Sequence, residues 1–145
     1  MKKFVYKFET IKKLKKTLEK QAQKEVAEVD LEIEKWVVKR NKIAEEAKKA
    51  REEFLSDVAT VSDVTFKKNH QMVLKRMIED VDVKINSLKK VREKKMEQLV
   101  ERTREHKIFE TLEERHHQQF TKEQNKIEMS QIDEYATQKY VRSEK

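Results

Sequence analysis

The chain has 145 residues, of which 43% are charged and none is Gly, Pro or Cys. Without cysteine it forms neither disulfides nor thiolate metal sites, and without glycine it has no phosphate-cradling loop or dinucleotide fingerprint. Gly and Pro end helices and shape tight turns, so their absence predicts very long helices joined by few turns. The hydrophobic fraction of 36% is too low for a wide core and indicates a narrow apolar seam.

The first helix is predicted from a regular alternation of three- and four-residue steps between apolar residues. From Val26 the series has Arg40 as its one polar member and otherwise consists of Val26, Val29, Ile33, Trp36, Ile43, Ala47, Ala50 and Phe54. This period of 3.5 residues is typical of a coiled-coil seam. Upstream, the seam continues with a phase shift near Leu14, through Phe4, Phe8, Ile11, Leu14, Leu18 and Ala22. We therefore predict helix 1 over about residues 4–56, with Trp36 packed on a second helix and Arg40 reaching solvent or marking the register.

A turn and a second helix follow. Residues 56–65 contain no Lys, Arg or Glu and are rich in Ser, Thr, Asp and Val, which favour turns and caps over helix interiors. We predict a turn at about 57–63, with Ser62 or Asp63 capping the next helix. The apolar pattern resumes at Phe66 without a second break, which predicts helix 2 over about residues 64–142.

Opposed blocks of charge predict that the two helices fold back on each other. If the turn centres near residue 60, the acidic residues 25–36 lie opposite the basic residues 84–95. Flanking charges of this kind select the orientation and register of paired helices. The predicted fold is all-α, a long antiparallel two-helix coiled-coil hairpin that forms a single domain over residues 1–145 and is a monomer when isolated.

The same register leaves the residues beyond about 120 without a helix opposite them. That overhang still carries apolar residues, namely Phe120, Ile127, Met129, Ile132, Tyr135, Tyr140 and Val141. Apolar side chains on an unpaired helix indicate a partner protein.

The sequence carries no sign of catalytic chemistry. A two-helix rod encloses no substrate pocket, and the four histidines (His70, His106, His116 and His117) lack the spacing of a metal site. We therefore predict no enzyme activity, no cofactor and no metal. No apolar run reaches the length of a membrane span and the start has no signal-peptide hydrophobic stretch, so we expect a soluble cytoplasmic protein without direct membrane insertion.

The net charge of +7 is concentrated in residues 1–24, which hold nine Lys against two Glu. Binding to nucleic acid or to an anionic membrane is therefore one alternative. The lysines are distributed around the predicted helix and acidic residues lie opposite them, which favours a solvated coiled-coil surface and no nucleic acid partner. A self-associating coiled-coil assembly protein is a further alternative.

Several segments resemble the family of the bacterial flagellar export protein FliJ. They are the start from Phe4 to Leu14, the runs Val91–Val100 and Lys107–Arg115, and the segment Glu128–Ala136 with Tyr140. The Ile-Asp-Glu-Tyr-Ala ending at Ala136 is similar to the family's terminal acidic-aromatic signature. Just after the turn, His70, Val73, Leu74, Met77 and Val81 follow the family's spacing, with His70 in place of Tyr and Val73 in place of Phe.

The resemblance implies a stalk-like coiled coil of the flagellar type III protein export apparatus. Such proteins bind and stimulate the hexameric export ATPase (FliI-type), link it to the membrane export gate (FlhA-type) and escort export chaperones. It implies ATPase binding at Phe4, Phe8, Ile127, Ile132, Asp133, Glu134, Tyr135 and Tyr140. It implies gate binding at His70, Val73, Leu74 and Met77, and a cytoplasmic location peripheral to the inner membrane at the flagellar base. The equivalent stalk of a virulence type III secretion system stays open as an alternative.

Overall fold

The computed structural model describes residues 2–56 and 60–144. Two helices make up nearly all of them, α1 (Glu9–Ser56) and α2 (Val61–Ser143), and no strand occurs in these ranges. The predicted all-α class and the packing of two long helices against each other are confirmed. The chain forms two compact units: unit 1 contains Met1–Glu19 and Glu101–Lys145, and unit 2 contains Lys20–Val100. The single domain expected from the sequence stays a prediction.

The start of α1 lies five residues later than the sequence pattern indicated. Residues 2–6 have no regular secondary structure, and a turn closed by the Glu9 amide and the Tyr6 carbonyl (3.3 Å) leads into the helix. The prediction that helix 1 begins near Phe4 is therefore wrong. Phe4, Tyr6 and Phe8 alternate at a period of two, which is the spacing of an extended segment with one packed face.

The cap of α2 also differs from the prediction. The Asp63 amide donates to the Thr60 hydroxyl at 3.2 Å and the Val64 amide to the Thr60 carbonyl, also at 3.2 Å. Thr60 is therefore the N-cap rather than Ser62 or Asp63, and Asp63 lies in the first turn, where a negative charge is favourable. Of the predicted turn at 57–63, residues 61–63 are helical and residues 57–59 lie outside the described residues.

Unit 2 is an antiparallel helix pair whose register is visible in three ion pairs. Arg40 pairs with Asp82, Asp30 with Arg92, and Glu25 with Lys95. A step of ten residues forward along α1, from Asp30 to Arg40, corresponds to ten residues backward along α2, from Arg92 to Asp82. The opposed charge blocks predicted from the sequence therefore meet, and Arg40 marks the register. Partly exposed pairs of this kind contribute little to stability, because water and salt screen the attraction between the charges.

The core of unit 2 is a narrow seam. Ile43 of α1 and Leu74, Val81 and Ile85 of α2 form its buried cluster. Further side chains pack on this cluster, namely Trp36, Val37, Ala47, Ala50 and Ile78. The predicted seam of α1 from Val26 to Phe54 is confirmed, because each of its members is buried or half-buried. Trp36 packs as expected, and its indole N–H donates to Glu32 at 3.0 Å.

Unit 1 is held by an aromatic cluster that ties the chain start to α2. Tyr6 is only 6% exposed, and its hydroxyl donates to the Phe109 carbonyl at 2.8 Å. The Phe4 ring lies 4.9 Å from the His117 ring and 5.5 Å from Phe120. The Phe8 ring lies 6.3 Å from Phe109. Aromatic pairs in such tilted and edge-on arrangements add about 0.5–1.5 kcal/mol beyond their buried area.

Further along α1, the inner face of unit 1 is polar where the sequence predicted apolar residues. Lys12 pairs with Glu113 and Lys15 with Glu105 (3.1 Å), whereas Ile11 and Leu14 are 40% and 55% exposed. The predicted place of Ile11 and Leu14 in the seam is therefore wrong. The helical phase turns the two lysines toward α2, which presents carboxylates to them. Hydrogen bonding to Glu113 raises the pKa of Lys12, and hydrogen bonding from Lys15 lowers the pKa of Glu105.

A third polar contact completes this layer. The His106 Nδ1 lies 2.6 Å from a carboxylate oxygen of Glu19, and its Nε2 lies 3.3 Å from Glu110.

Across the described residues, neither helix contains a stretch that is long and apolar enough to span a bilayer.

The first prediction concerns the seam of unit 2. Replacing Leu74, which is 3% exposed, with Ala removes buried methyl groups that face Ile43 and should lower the free energy of unfolding by about 2–4 kcal/mol. The matched variant Val73→Ala truncates a neighbour that is 53% exposed and should change it by no more than about 0.5 kcal/mol. Urea unfolding followed by circular dichroism measures both, and equal losses would contradict the observed register.

The second prediction concerns the aromatic cluster at the chain start, here called the clasp, in which Phe4, Tyr6 and Phe8 pack on α2. Tyr6→Phe removes one hydrogen bond and should destabilise the protein by about 0.5–1.5 kcal/mol, while the exposed Tyr140→Phe should have no effect. Burial raises the pKa of the Tyr6 phenol. A raised pKa in the folded state means that the protonated phenol stabilises the fold below about pH 10 and that this contribution is lost as the pH rises through the raised pKa. The stability difference between wild type and Tyr6→Phe should therefore shrink at high pH in thermal unfolding; a difference that grows would exclude this role.

Candidate partner-binding sites

The C-terminal part of α2, within unit 1, presents an exposed apolar surface. Six large apolar residues there are between 49% and 68% exposed, namely Ile127, Met129, Ile132, Tyr135, Tyr140 and Val141. The sequence-based prediction of an uncovered apolar overhang is confirmed for these six residues and is wrong for Phe120, whose half-buried ring lies 5.5 Å from that of Phe4. Because a solvated helix does not need such side chains, their exposure indicates a surface that another molecule covers.

Within the overhang, Ile132 and Tyr135 follow each other at a spacing of three and share one face of α2. With Glu128 and Gln131 they line a shallow groove of about 300 Å³. Asp133 and Glu134 occupy the neighbouring exposed positions. The backbone carbonyl of Asp133 accepts a hydrogen bond from the Thr137 hydroxyl at 2.8 Å, within α2. The arrangement is an apolar strip with Glu128 beside it, whereas Asp133 and Glu134 lie on the opposite side of the helix, because each residue advances the helix by about 100°.

The structure places Phe4 and Phe8 differently from the other predicted ATPase-binding residues. Both are half-buried in the aromatic cluster, where they contact α2 between Phe109 and Phe120. They therefore lie before the overhang along α2 and stabilise the helix from which it continues. Sequence reasoning missed the part played by Tyr6, although the period-two alternation of Phe4, Tyr6 and Phe8 carried the signal.

The predicted gate-binding residues lie on α2 in unit 2, and the structure divides them into two groups. His70 is exposed, Val73 is 53% exposed and Met77 is 41% exposed, and their spacing of three and four residues brings them onto one face. Leu74 is 3% exposed because it packs on Ile43. The first three are accessible to a partner, and Leu74 supports them from the core.

Three of the four histidines lie in unit 1 and pack or pair within it, whereas His70 is exposed in unit 2. His106 bonds to Glu19 and Glu110, while His116 and His117 pack against the rings of Tyr6 and Phe4. Among residues 2–56 and 60–144, no three or more His, Asp or Glu side chains are grouped to hold a metal ion. The sites that this part of the chain offers are open apolar helix faces, which suit protein docking.

Comparison with protein families shows that residues 3–145 match the family described as flagellar FliJ protein. Neither the curated proteins nor the solved structures give a significant match. The match covers essentially the whole chain, so it includes the clasp at the chain start, the exposed face at His70 and the C-terminal overhang. The chain belongs to the flagellar FliJ family and is therefore a component related to flagellar protein export.

Proposed function

We propose that this chain is a non-enzymatic, stalk-like adaptor of the flagellar export apparatus. It binds and stimulates the hexameric export ATPase through unit 1, binds the membrane export gate through unit 2 and escorts export chaperones. It is a monomer when isolated and acts in the cytoplasm, peripheral to the inner membrane at the flagellar base. The observation that carries the proposal is the exposed apolar strip of the C-terminal overhang in a chain of this family.

The ATPase contact is assigned to the overhang. Ile127, Ile132, Tyr135 and Tyr140 are the exposed anchors, and Tyr residues are enriched among the side chains that dominate binding energies at protein interfaces. Asp133 and Glu134 supply carboxylates on the opposite side of the helix, where charges act on orientation and association rate more than on affinity. Phe4 and Phe8 contribute by holding the chain start against α2 at the beginning of the overhang.

The gate contact is assigned to the exposed face of His70, Val73 and Met77. Two of these side chains are apolar and about half exposed, and they adjoin each other on that face, so a partner could cover both at once. Met is well suited to such a contact because its flexible thioether adapts to different surfaces. Leu74 acts indirectly, because its burial against Ile43 keeps the face in place.

A truncation tests the ATPase contact. Removing the residues after Phe120 should leave the Phe4–Phe120 and Tyr6–Phe109 contacts in place, so the melting temperature should change little. The same truncation should abolish stimulation of the ATPase in a phosphate-release assay. The double variant Ile132→Ser with Tyr135→Ser should lose most of the stimulation, whereas the control Thr137→Ser with Gln138→Ser, at exposed positions outside the groove, should retain it. Full stimulation by the truncated protein would place the contact elsewhere.

A second pair of variants tests the gate contact. Val73→Ser with Met77→Ser should weaken binding to the isolated cytoplasmic domain of the gate by about tenfold, which corresponds to about 1.4 kcal/mol. The control Met72→Ser with Val83→Ser removes side chains that are 48% and 69% exposed and should leave the affinity unchanged. Calorimetry measures the affinities, and thermal unfolding shows that each variant is folded. Equal weakening by both variants would contradict the assignment.

A further inference from the structure

A second open surface lies on α2 within unit 1, before the overhang. Six residues line a groove of about 350 Å³, here called the basic groove: Arg104, Lys107, Ile108, Thr111, Leu112 and Arg115. Ile108 and Leu112, one helical turn apart, form its floor, and Ile108 is 51% exposed. Every charged side chain that lines the groove is basic.

This uniform charge arises from the way in which α2 distributes its ionic groups. Glu105 and Glu113 turn toward α1, where Lys15 and Lys12 neutralise them, and Arg102 also bonds to Glu105 at 3.3 Å. These two carboxylates are thus drawn to the inner face of unit 1, whereas Glu101, Glu110 and Glu114 are exposed outside the groove lining. On the outer face, Arg104 has one exposed pair with Glu101 at 3.4 Å. In the described ranges, no carboxylate lies within ion-pair distance of Lys107 or Arg115.

We propose that the basic groove binds an acidic amphipathic helix of a partner protein. Two apolar side chains of that helix, spaced by three or four residues, rest on Ile108 and Leu112. Its carboxylates face Arg104, Lys107 and Arg115. The groove runs over residues 104–115, about three helical turns or roughly 17 Å, so a segment of about 12 residues covers it. This surface goes beyond the proposed function, because it shares no residue with the overhang or with the exposed face at His70.

The chemistry of the groove favours a helix over other anionic partners. A continuous apolar floor of two side chains matches the narrow stripe of an amphipathic helix, which docks by its anchors at a spacing of three and four. Nucleic acid binding relies on phosphate contacts and aromatic stacking, and the groove lining contains no aromatic residue. The cations at its rim steer the approach of a negatively charged segment, which makes association dependent on ionic strength.

Binding of a synthetic peptide to the full chain tests the proposal without the ATPase or the gate, so its failure leaves the proposed function intact. The probe is a fluorescein-labelled, capped 14-residue helical peptide with leucines on one face and glutamates on its flanks. A peptide of the same composition with its leucines scattered around the helix is the control probe. Fluorescence anisotropy should show saturable binding of the amphipathic peptide that weakens with salt, and binding at least about tenfold weaker for the scrambled one.

Charge reversal locates the site. Lys107→Glu with Arg115→Glu should weaken binding of the amphipathic peptide by about tenfold or more, and Ile108→Ser should weaken it without changing the charge. The matched control Lys122→Glu with Lys126→Glu makes the same change of net charge at exposed positions of α2 outside the groove, and should weaken binding by less than about threefold. Circular dichroism confirms that all variants keep their helices.

Three outcomes would overturn the proposal. The first is an equal loss in both charge-reversal variants, which would mean unspecific attraction to a basic protein. The second is equal affinity for the amphipathic and scrambled peptides, which would exclude the apolar floor. The third is tighter binding of anionic lipid vesicles or single-stranded RNA that Lys107→Glu with Arg115→Glu abolishes, which would assign the groove to a membrane or a nucleic acid.

Discussion

The structure depends on a narrow apolar seam between two antiparallel helices. In unit 2 this seam consists of Ile43 facing Leu74, Val81 and Ile85, and few other side chains are removed from water. Such a seam stabilises the pairing of the helices but specifies their register only weakly, because one heptad resembles the next. The ion pair of Arg40 with Asp82 and the neighbouring pairs add that specification.

Unit 1 achieves the same pairing with different chemistry. Its apolar contacts are concentrated in the cluster around Tyr6, and further along α1 the facing positions are lysines and acids. An ionic layer of this kind is specific rather than strong, because the gain in Coulomb energy is offset by the desolvation of the charges. The clasp at Tyr6 therefore fixes the end of the helix pair, and the ionic layer sets its register.

The surfaces available for partners are those that the seam leaves uncovered. Because the seam consumes only one stripe of each helix, apolar residues elsewhere stay exposed, as Val73 and Met77 do in unit 2 and Tyr135 does in unit 1. The ionic layer of unit 1 has a further effect, since it turns Glu105 and Glu113 toward α1, away from the basic groove, whose charged lining is Arg104, Lys107 and Arg115. Apolar surfaces and a basic groove thus arise from one folding pattern, which suits a family that acts within a larger export assembly.

The sequence by itself determined the helical class, the antiparallel pairing and the seam from Val26 to Phe54, because an unbroken period of 3.5 residues and opposed charge blocks admit little else. It also indicated the exposed overhang. Only the tertiary structure decided that Lys12 and Lys15, rather than Ile11 and Leu14, face α2, since the helical phase there depends on carboxylates about 90 residues or more away in sequence. It likewise decided that the chain start is an irregular segment and a turn rather than the beginning of the helix, because the gain from burying Tyr6 against Phe109 comes from a residue that local propensity does not include.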